Sequence, residues 1–224
     1  MAWEEVWEKV FREQEWGKYP GEDLIRFTAR NFYQVPDRSA IKILEVGCGP
    51  GANLWYLARE GFSVFGVDGS ETAIRQARER LDKECPNWQG QLVVADIMRI
   101  PFADDYFDAV IDNEAVCCNL FKNARTIYSE MWRVCKSAGK LHVRTFSTGS
   151  WGDHTGTNLE GNAWIVAEGP SLGQGCSRFT SLNELGQLLK GFDLEEIELL
   201  TRSVDGRQHT IIEWIIDGVK VRAS

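Results

Sequence analysis

The sequence predicts an α/β fold, a doubly wound and mostly parallel sheet of seven strands with helices on both faces. Three observations predict it. Short apolar strands alternate with helical segments over residues 41–146, and segments of that length make right-handed crossovers between parallel strands. A glycine-rich turn at residues 47–51 follows the first of these strands. Two final strands are separated by Asp205-Gly206, which is typical of a hairpin, so the sheet is expected to end in an antiparallel pair.

Residues 1–35 are expected to form a helical cap on this sheet. Trp7, Val10 and Phe11 recur at the spacing of one helix face. Glycine and proline then interrupt the pattern, and a second helix is predicted over residues 22–32.

Residues 41–146 are predicted to alternate five strands with three helices. Gly61 can end the first helix, Ser70 can cap the start of the second, and the Ser-Ala-Gly segment at 137–139 can end the third. The expected strands are residues 41–46, 62–67, 92–95, 108–111 and 140–146, and the expected helices are residues 53–60, 71–83 and 120–135.

The alternating pattern stops at residues 147–178, which are rich in small and polar residues. A structureless connection of this length is uncommon in a compact domain and usually has a function. The last predicted elements are a helix at residues 181–190 and strands at residues 194–201 and 209–216. We therefore expect one domain over residues 1–224, in which residues 147–180 form a loop or lid and residues 181–217 complete the sheet.

The composition of the chain disfavours several classes of function. The net charge of −8 disfavours a surface built to neutralise phosphates, so nucleic acids are not expected as partners. No apolar run approaches the roughly 18 residues of a membrane span, and the acidic first residues do not resemble a secretory signal. The six cysteines include no Cys-x-x-Cys pair, and with only three histidines no metal site is expected. These features predict a cytoplasmic protein with reduced thiols.

The glycine-rich turn is the most informative segment. Glycines let the backbone turn sharply and leave room for a ligand, and in a doubly wound sheet this turn lies where nucleotide-like ligands bind. The spacing Gly47-x-Gly49-x-x-Ala52 also fits the dinucleotide fingerprint. On this motif alone, a nicotinamide or flavin ligand therefore remains open.

Three acids distinguish the possible ligands. Glu45 stands near the end of an apolar strand, where a carboxylate needs a cation or several donors. It would attract the ammonium and sulfonium of S-adenosylmethionine and repel the phosphates of a dinucleotide. Asp68 ends the second strand and can accept both ribose hydroxyls of either ligand. Asp96, beside Ile97, can accept from an adenine amino group while the aliphatic side chain covers the ring.

Together these motifs make the chain similar to the class I S-adenosylmethionine-dependent methyltransferases of the small-molecule branch, which have a Rossmann-like fold. The resemblance is firm over residues 41–146, weaker from residue 178 onward, and absent for residues 1–35 and 147–177. The matching segments are Leu44-Glu45-Val46-Gly47-Cys48-Gly49-Pro50-Gly51, Gly66-Val67-Asp68-Gly69-Ser70, Ala95-Asp96-Ile97 and Phe107-Asp108-Ala109-Val110-Ile111-Asp112.

The resemblance implies S-adenosyl-L-methionine as cofactor, S-adenosyl-L-homocysteine as product and a role for each matching position. Glu45 and the turn glycines would hold the methionine end, Asp68 the ribose, and Asp96 with Ile97 the adenine. The segment at residues 112–116 would lie near the ammonium and the methyl donor. The implied cofactor-binding positions are Glu45, Gly47, Cys48, Gly49, Asp68, Gly69, Ser70, Asp96, Ile97, Asp112 and Asn113. Many relatives carry an aromatic or aliphatic residue where this chain has Asn113-Glu114, so the substrate-facing positions differ here.

Methyl transfer from a sulfonium needs alignment and exclusion of water, and a general base only if the acceptor must lose a proton. Glu114, Asp153 and His154 are the candidate bases, with Glu114 and His154 preferred. The candidates to line the acceptor pocket are Trp7, Trp16, Tyr19, Trp151 and Trp164, and the candidates to bind an anionic group are Arg26, Arg30 and Arg144.

The predicted reaction is methyl transfer to an oxygen or nitrogen atom of a small molecule. Two alternatives stay open: a catalytically inactive S-adenosylmethionine-binding partner protein, and an NAD(P)-dependent oxidoreductase. Neither the acceptor nor the oligomeric state follows from these residues.

Overall fold

The computed structural model describes residues 4–221; residues 1–3 of the predicted cap and residues 222–224 lie outside it. Seven strands form the main sheet in the order β3-β2-β1-β4-β5-β10-β9. The first five are parallel, and β10 pairs antiparallel with both β5 and β9. This confirms the predicted doubly wound sheet and its antiparallel end. The main-sheet strands are β1 Lys42–Val46, β2 Ser63–Asp68, β3 Gly90–Val94, β4 Phe107–Asn113, β5 Cys135–Phe146, β9 Phe192–Val204 and β10 His209–Lys220.

The helices begin and end close to the positions that their capping residues predict. Ser70 accepts a hydrogen bond from the backbone N–H of Ala73 and so caps the helix that follows it. Ser181 and Glu184 form a capping box at the start of the last helix. The helices are α1 Glu5–Glu13, α2 Glu22–Phe32, α3 Ala52–Arg59, α4 Glu71–Glu84, α5 Phe121–Val134 and α6 Leu182–Leu188.

Helices cover both faces of the sheet because successive residues of its inner strands point to opposite sides. On β1, Ile43 packs with Leu57 of α3 and Leu81 of α4, while Leu44 packs on the other face with residues of α5 and α6. No helix among residues 4–221 combines the length and apolar character needed to cross a membrane.

Residues 147–178 are not structureless, and the prediction of a plain loop there is wrong. They contain β6 Thr157–Glu160, β7 Ala163–Ile165 and β8 Cys176–Arg178, which pair antiparallel in a second sheet of three strands. The segment leaves and rejoins the main sheet at one place. Ser147 bridges Thr180, and the backbone N–H of Thr180 donates to the carbonyl oxygen of Phe146 at 2.8 Å.

The end of α5 also differs from the prediction. Residues 137–139 were expected to separate helix from strand, but β5 already begins at Cys135. Residues 135–139 thus belong to β5 in addition to the predicted strand. They are accommodated by an irregularity in the pairing of β4 with β5 and by the left-handed conformation of Ala138, with φ of +61°.

Candidate active site

A cavity of about 320 Å³ opens at the carboxyl ends of β1, β2 and β4. The order of the sheet reverses between β1 and β4, and the crevice beside such a reversal is where doubly wound sheets bind ligands. The cavity is lined by Trp7, Phe11, Trp16, Glu45, Gly47, Cys48, Gly49, Ala52, Asn53, Asp68, Gly69, Ala95, Ile97, Asn113, Glu114, Ala115, Cys118, Asn119, Phe146, Pro170, Ser171 and Gln174.

Glu45 is the buried acid at this end of β1. Asn53, in the first turn of α3, donates from Nδ2 to Oε1 of Glu45 at 2.6 Å, whereas Oε2 receives no hydrogen bond from the described residues. Burial, with the nearby acids Asp112 and Asp68 adding to it, raises the pKa of Glu45 to about 8. A buried carboxyl in this condition lacks a cation, and the ammonium of a ligand would supply one.

The turn after β1 requires glycine. Gly47, Gly49 and Gly51 have φ of +61°, +49° and +78°, in the left-handed region that favours glycine. A Cβ on Gly47 would overlap the side chain of Ala115. The turn therefore presents bare backbone to the cavity, and a ligand can lie directly against it.

Asp68 holds the two loops of the site together. Its Oδ2 accepts from the backbone N–H of Gly49 and its Oδ1 from that of Ser70, both at 2.8 Å. Burial raises the pKa of Asp68, although these backbone bonds oppose the rise. Cys48 is buried in the same turn, and burial raises the pKa of its thiol well above its usual value, so the thiol stays neutral and acts as a packing group.

Residues after β3 form the wall opposite the glycine turn. Ala95 and Ile97 line the cavity. Asp96 stands between them but outside the lining, and its Oδ1 accepts from the backbone N–H of Met98 at 3.0 Å. Its predicted bond to an adenine amino group stays a prediction.

Asp112 holds the turn after β4 in place and does not line the cavity. It is fully buried. Its Oδ1 accepts from the backbone N–H groups of Ala115 and Val116, each at 3.0 Å, and its Oδ2 accepts from the Tyr128 hydroxyl at 2.7 Å. These bonds fix the turn after β4, which brings Asn113 to the cavity wall.

Helix α1 closes the cavity from the side of α4. Trp7 and Phe11 line the cavity, and Glu8 between them accepts from the hydroxyls of Ser70 and Thr72. Burial would raise the pKa of Glu8, but these hydrogen bonds together lower it. Ser70, predicted to bind the cofactor, therefore caps α4 and holds α1, and it does not line the cavity.

The contact of Glu8 gives a testable prediction. Glu8→Gln removes a carboxylate from the N-terminal turn of α4 and weakens two hydrogen bonds that hold α1 closed. We expect S-adenosylhomocysteine to dissociate about 3- to 10-fold faster, measured by stopped-flow fluorescence of the tryptophans. Glu5→Gln is the matched control, because Glu5 is exposed on the same helix and its change removes the same charge. Equal dissociation rates in Glu8→Gln and the wild type would contradict a holding role for Glu8.

Glu114 faces the cavity from a strained backbone position. Its φ is +59°, which is uncommon for a residue with a side chain, and its backbone N–H donates to the carbonyl oxygen of Arg144 at 2.8 Å. Its Oε1 lies 3.2 Å from Nε of Arg144. The same guanidinium donates to both carboxylate oxygens of Glu213, at 2.9 and 3.0 Å, and to Oδ1 of Asp23 at 3.1 Å.

Glu114 is the carboxyl of this network whose pKa is raised. Burial, reinforced by the adjacent Glu213, raises the pKa of Glu114 to about 8. The pKa of Glu213 is lowered despite burial, because Glu114, Arg144 and Arg202 all favour its ionised form. At neutral pH Glu114 therefore holds a proton beside an ionised Glu213.

The structure does not bring the other predicted base to the cavity. The side chain of His154 is 69% exposed and packs edge-on against Trp164. Asp153, beside it, accepts from the backbone N–H of Gly149 at 2.8 Å. Neither residue lines the cavity.

Of the five aromatic residues predicted to line the acceptor pocket, two line the cavity. Trp7 and Trp16 line the cavity, and their ring planes meet at 81°. Tyr19 is 73% exposed, and Trp151 stacks on His209 with ring centroids 4.0 Å apart. Trp164 belongs to β7, away from the lining.

The three candidate arginines do not line the cavity either. Arg26 donates to Glu198 at 2.7 Å, Arg30 is exposed, and Arg144 is bound by the acids already described. The described lining contains no lysine, arginine or histidine. This charge pattern suits a cationic nucleoside and opposes the phosphates of a dinucleotide, so the residues present fit S-adenosylmethionine.

Two residues of the site were missed by sequence reasoning. Asn53 was expected only as the start of a helix, and Glu8 was not singled out. A buried asparagine one turn after a glycine loop is a usable signal for a side chain that orients the acid before the loop. Glu8 carries no such signal, because its partners lie more than 60 residues away.

Comparisons with known proteins agree with this geometry. The family described as a methyltransferase domain matches residues 44–143. Methyltransferase GfsG of Streptomyces halstedii is 30% identical over 53% of this chain and 42% of its own length. The cycloartenol-C-24-methyltransferase of Arabidopsis thaliana is 33% identical over 56% of this chain and 40% of its own length. The chain thus spans well under half of these two relatives.

A solved structure extends the likeness in fold. A SAM-dependent methyltransferase from Methanosarcina mazei superposes with a TM-score of 0.70 at 21% identity, covering 85% of this chain and 96% of that one. The shared region includes elements beyond residues 44–143, so the fold agrees over most of the chain.

Proposed function

We propose that the chain is a class I S-adenosylmethionine-dependent methyltransferase and that it transfers the methyl group of that cofactor to an oxygen or nitrogen atom of a small molecule; the match to the methyltransferase domain over residues 44–143 supports this. The observation that carries the proposal is the carboxyl of Glu45, buried at the head of a glycine turn with one oxygen lacking a hydrogen bond. A buried acid in that state is costly unless a cation meets it.

Four parts of the lining would hold S-adenosylmethionine. Glu45 would bind the ammonium, the turn at residues 47–49 would lie against the methionine chain, and Asp68 would accept from the ribose hydroxyls. Ile97 would cover the adenine. The bound cofactor supplies a methyl carbon already activated by its bond to a sulfonium sulfur.

The chain itself would supply alignment, exclusion of water and a site for a proton. Trp7 and Phe11 of α1 close the cavity with apolar surface, which excludes water from the reacting groups. Glu114 lines the cavity, and in its ionised form it could accept a proton from an acceptor atom that must lose one. No other candidate base lines the cavity among the described residues.

Calorimetric titration with S-adenosylmethionine, S-adenosylhomocysteine, NAD and NADP tests the cofactor. We expect micromolar binding of the two S-adenosyl ligands and none of the nicotinamides. Binding of a nicotinamide alone would support the oxidoreductase alternative and contradict the proposal. Transfer of tritiated methyl from the cofactor into cellular metabolites then tests turnover. Cofactor binding without transfer to any fraction would favour an inactive binding partner.

Cofactor binding is also expected to release a proton. In the free protein Glu45, with its pKa raised to about 8, is mostly protonated at pH 7, and a bound ammonium would lower that pKa. Up to one proton should therefore leave per S-adenosylhomocysteine bound at pH 7. Titrations in phosphate and in Tris, which differ in ionisation enthalpy, measure this number. Glu45→Gln should abolish the release, and a release that persists in this variant would place the proton elsewhere.

A further inference from the structure

The described lining of the cavity carries three carboxyl groups, on Glu45, Asp68 and Glu114, and no cationic side chain. Glu45 and Asp68 have partners in the proposed cofactor, through its ammonium and its ribose. Glu114, on the turn after β4, has no partner in that assignment. Glu114 is therefore the lining carboxyl that is available to bind the acceptor.

The buried network behind Glu114 is short of one cation. Among the described residues it contains four carboxyls, on Glu114, Glu213, Asp23 and Asp217, and three basic groups, on Arg144, Arg202 and His142. Arg144 is shared by three of these acids, Arg202 serves Glu213, and His142 lies between Asp23 and Asp217. Arg26, the next cation, is bound to Glu198.

The carboxyl without a cation of its own is the one that reaches the cavity. Glu213 is fully buried, and Asp23 and His142 are nearly so. Glu114 is held at the wall by its left-handed backbone and by the bond of its N–H to Arg144. With His142 protonated and no further positive charge, the network is neutral only when one of its carboxyls is protonated, and Glu114 is the one whose pKa burial raises. A cationic group in the cavity would balance it instead.

The cavity that Glu114 lines also has apolar walls, which suit an apolar body. Phe11, Trp16 and Phe146 line the same cavity, and aromatic faces stabilise a nearby ammonium as well as burying hydrocarbon. An anionic acceptor would meet the carboxyl of Glu114 and, among the described lining residues, no cationic side chain.

We propose that the acceptor is a primary or secondary amine carried on an apolar body, which enters as its ammonium and is held by Glu114. This inference rests on the proposed methyltransferase function and narrows its acceptor class. Binding of the ammonium releases to solvent the proton that Glu114 carries in the free protein. The ionised Glu114 then accepts one proton from the ammonium, which frees the nitrogen lone pair. The nitrogen then bonds to the methyl carbon while the bond from that carbon to sulfur breaks, and its electron pair stays on the sulfur. The product is a methylated ammonium and neutral S-adenosylhomocysteine.

A matched set of probes tests the acceptor class. 2-Phenylethylamine, 2-phenylethanol and 3-phenylpropionate share a ring and a chain but differ in charge, and each can be titrated into protein saturated with S-adenosylhomocysteine. Indole analogues, tryptamine, tryptophol and indole-3-propionate, form a second set. We expect each amine to bind at least 10-fold more tightly than its alcohol, with no binding of the acid. Alcohols or acids that bind as well as the amines, or amines that fail to bind at all, would overturn the proposal.

Two variants separate this proposal from the function on which it rests. Glu114→Gln should reduce the preference for amine over alcohol to less than 3-fold while leaving the affinity for S-adenosylhomocysteine and the melting temperature close to wild type. Glu79→Gln, an exposed charge change on α4, should leave the preference intact. If S-adenosylhomocysteine does not bind to the wild type, the proposed function has failed. If it binds and the amine preference is absent, or survives in Glu114→Gln, the acceptor inference alone has failed.

Discussion

Replacing Glu45 with alanine is expected to weaken the binding of S-adenosylhomocysteine by about 100-fold or more. The side chain is 97% buried, so an ammonium bound to it interacts in a low-dielectric setting, where removing one partner of a charge pair costs about 2 to 5 kcal/mol. Every 1.4 kcal/mol corresponds to a tenfold change in affinity. Calorimetric titration measures the effect, with Asp68→Ala as a second variant at the ribose position.

The stability of the unliganded Glu45→Ala variant is a control for this loss of affinity. In the free protein Glu45 is a buried carboxyl with one oxygen that has no hydrogen bond, so its removal relieves a desolvation cost and leaves only Asn53 without its acceptor. The melting temperature of Glu45→Ala without ligand should stay close to that of the wild type. Affinity within 3-fold of the wild type in a folded variant would show that the ammonium is bound elsewhere.

The largest effect on stability is expected from Arg144→Met. This substitution leaves Glu114, Glu213 and Asp23 without their shared guanidinium, and breaking a buried ion pair from one side costs about 3 to 5 kcal/mol. For a chain of this size that corresponds to a fall in melting temperature on the order of 10 °C, measured by calorimetry or circular dichroism.

Arg202→Met is the matched control for Arg144→Met. Arg202 also binds Glu213, but its side chain is 48% exposed. Water therefore screens this ion pair, and the pair contributes little to stability. We expect Arg202→Met to cost less than about 1 kcal/mol. Adding Glu213→Gln to Arg144→Met should recover part of the lost stability, since the buried acid that is ionised beside Arg144 becomes neutral. Equal losses in Arg144→Met and Arg202→Met would contradict the central place given to Arg144.

The main sheet and its helices could be predicted because their signals are local. The apolar runs of β1, β2 and β4, the capping serine at residue 70 and the turn at residues 205–206 each lie within a few residues of the feature they specify. The second sheet could not be predicted in this way. Its strands have three or four residues, and β6 is exposed along its whole length, so no alternation of apolar and polar residues marks it.

In the candidate site too, residues with a local sequence signal could be predicted, and contacts between distant residues could not. Glu45 and Asp68 could be placed because each closes a recognisable strand, and parallel strands bring their carboxyl ends together. The partners of Glu114 could not, because Arg144, Glu213 and Asp23 come from β5, β10 and α2, and their bonds join residues 69 and 121 positions apart. His154 was favoured by its chemistry alone, and the fold leaves its side chain in solvent.

The bridge between Ser147 and Thr180 has a consequence for how this fold can diversify. Because the two ends of the intervening segment are joined by backbone hydrogen bonds, its length and internal layout can change without moving the strand that it leaves. The segment also carries its own three-stranded pairing and contributes Pro170, Ser171 and Gln174 to the cavity. Grafting the equivalent stretch from a homologue between these two positions is therefore expected to change the cavity wall that Pro170, Ser171 and Gln174 form and to leave Glu45 and Asp68 in place.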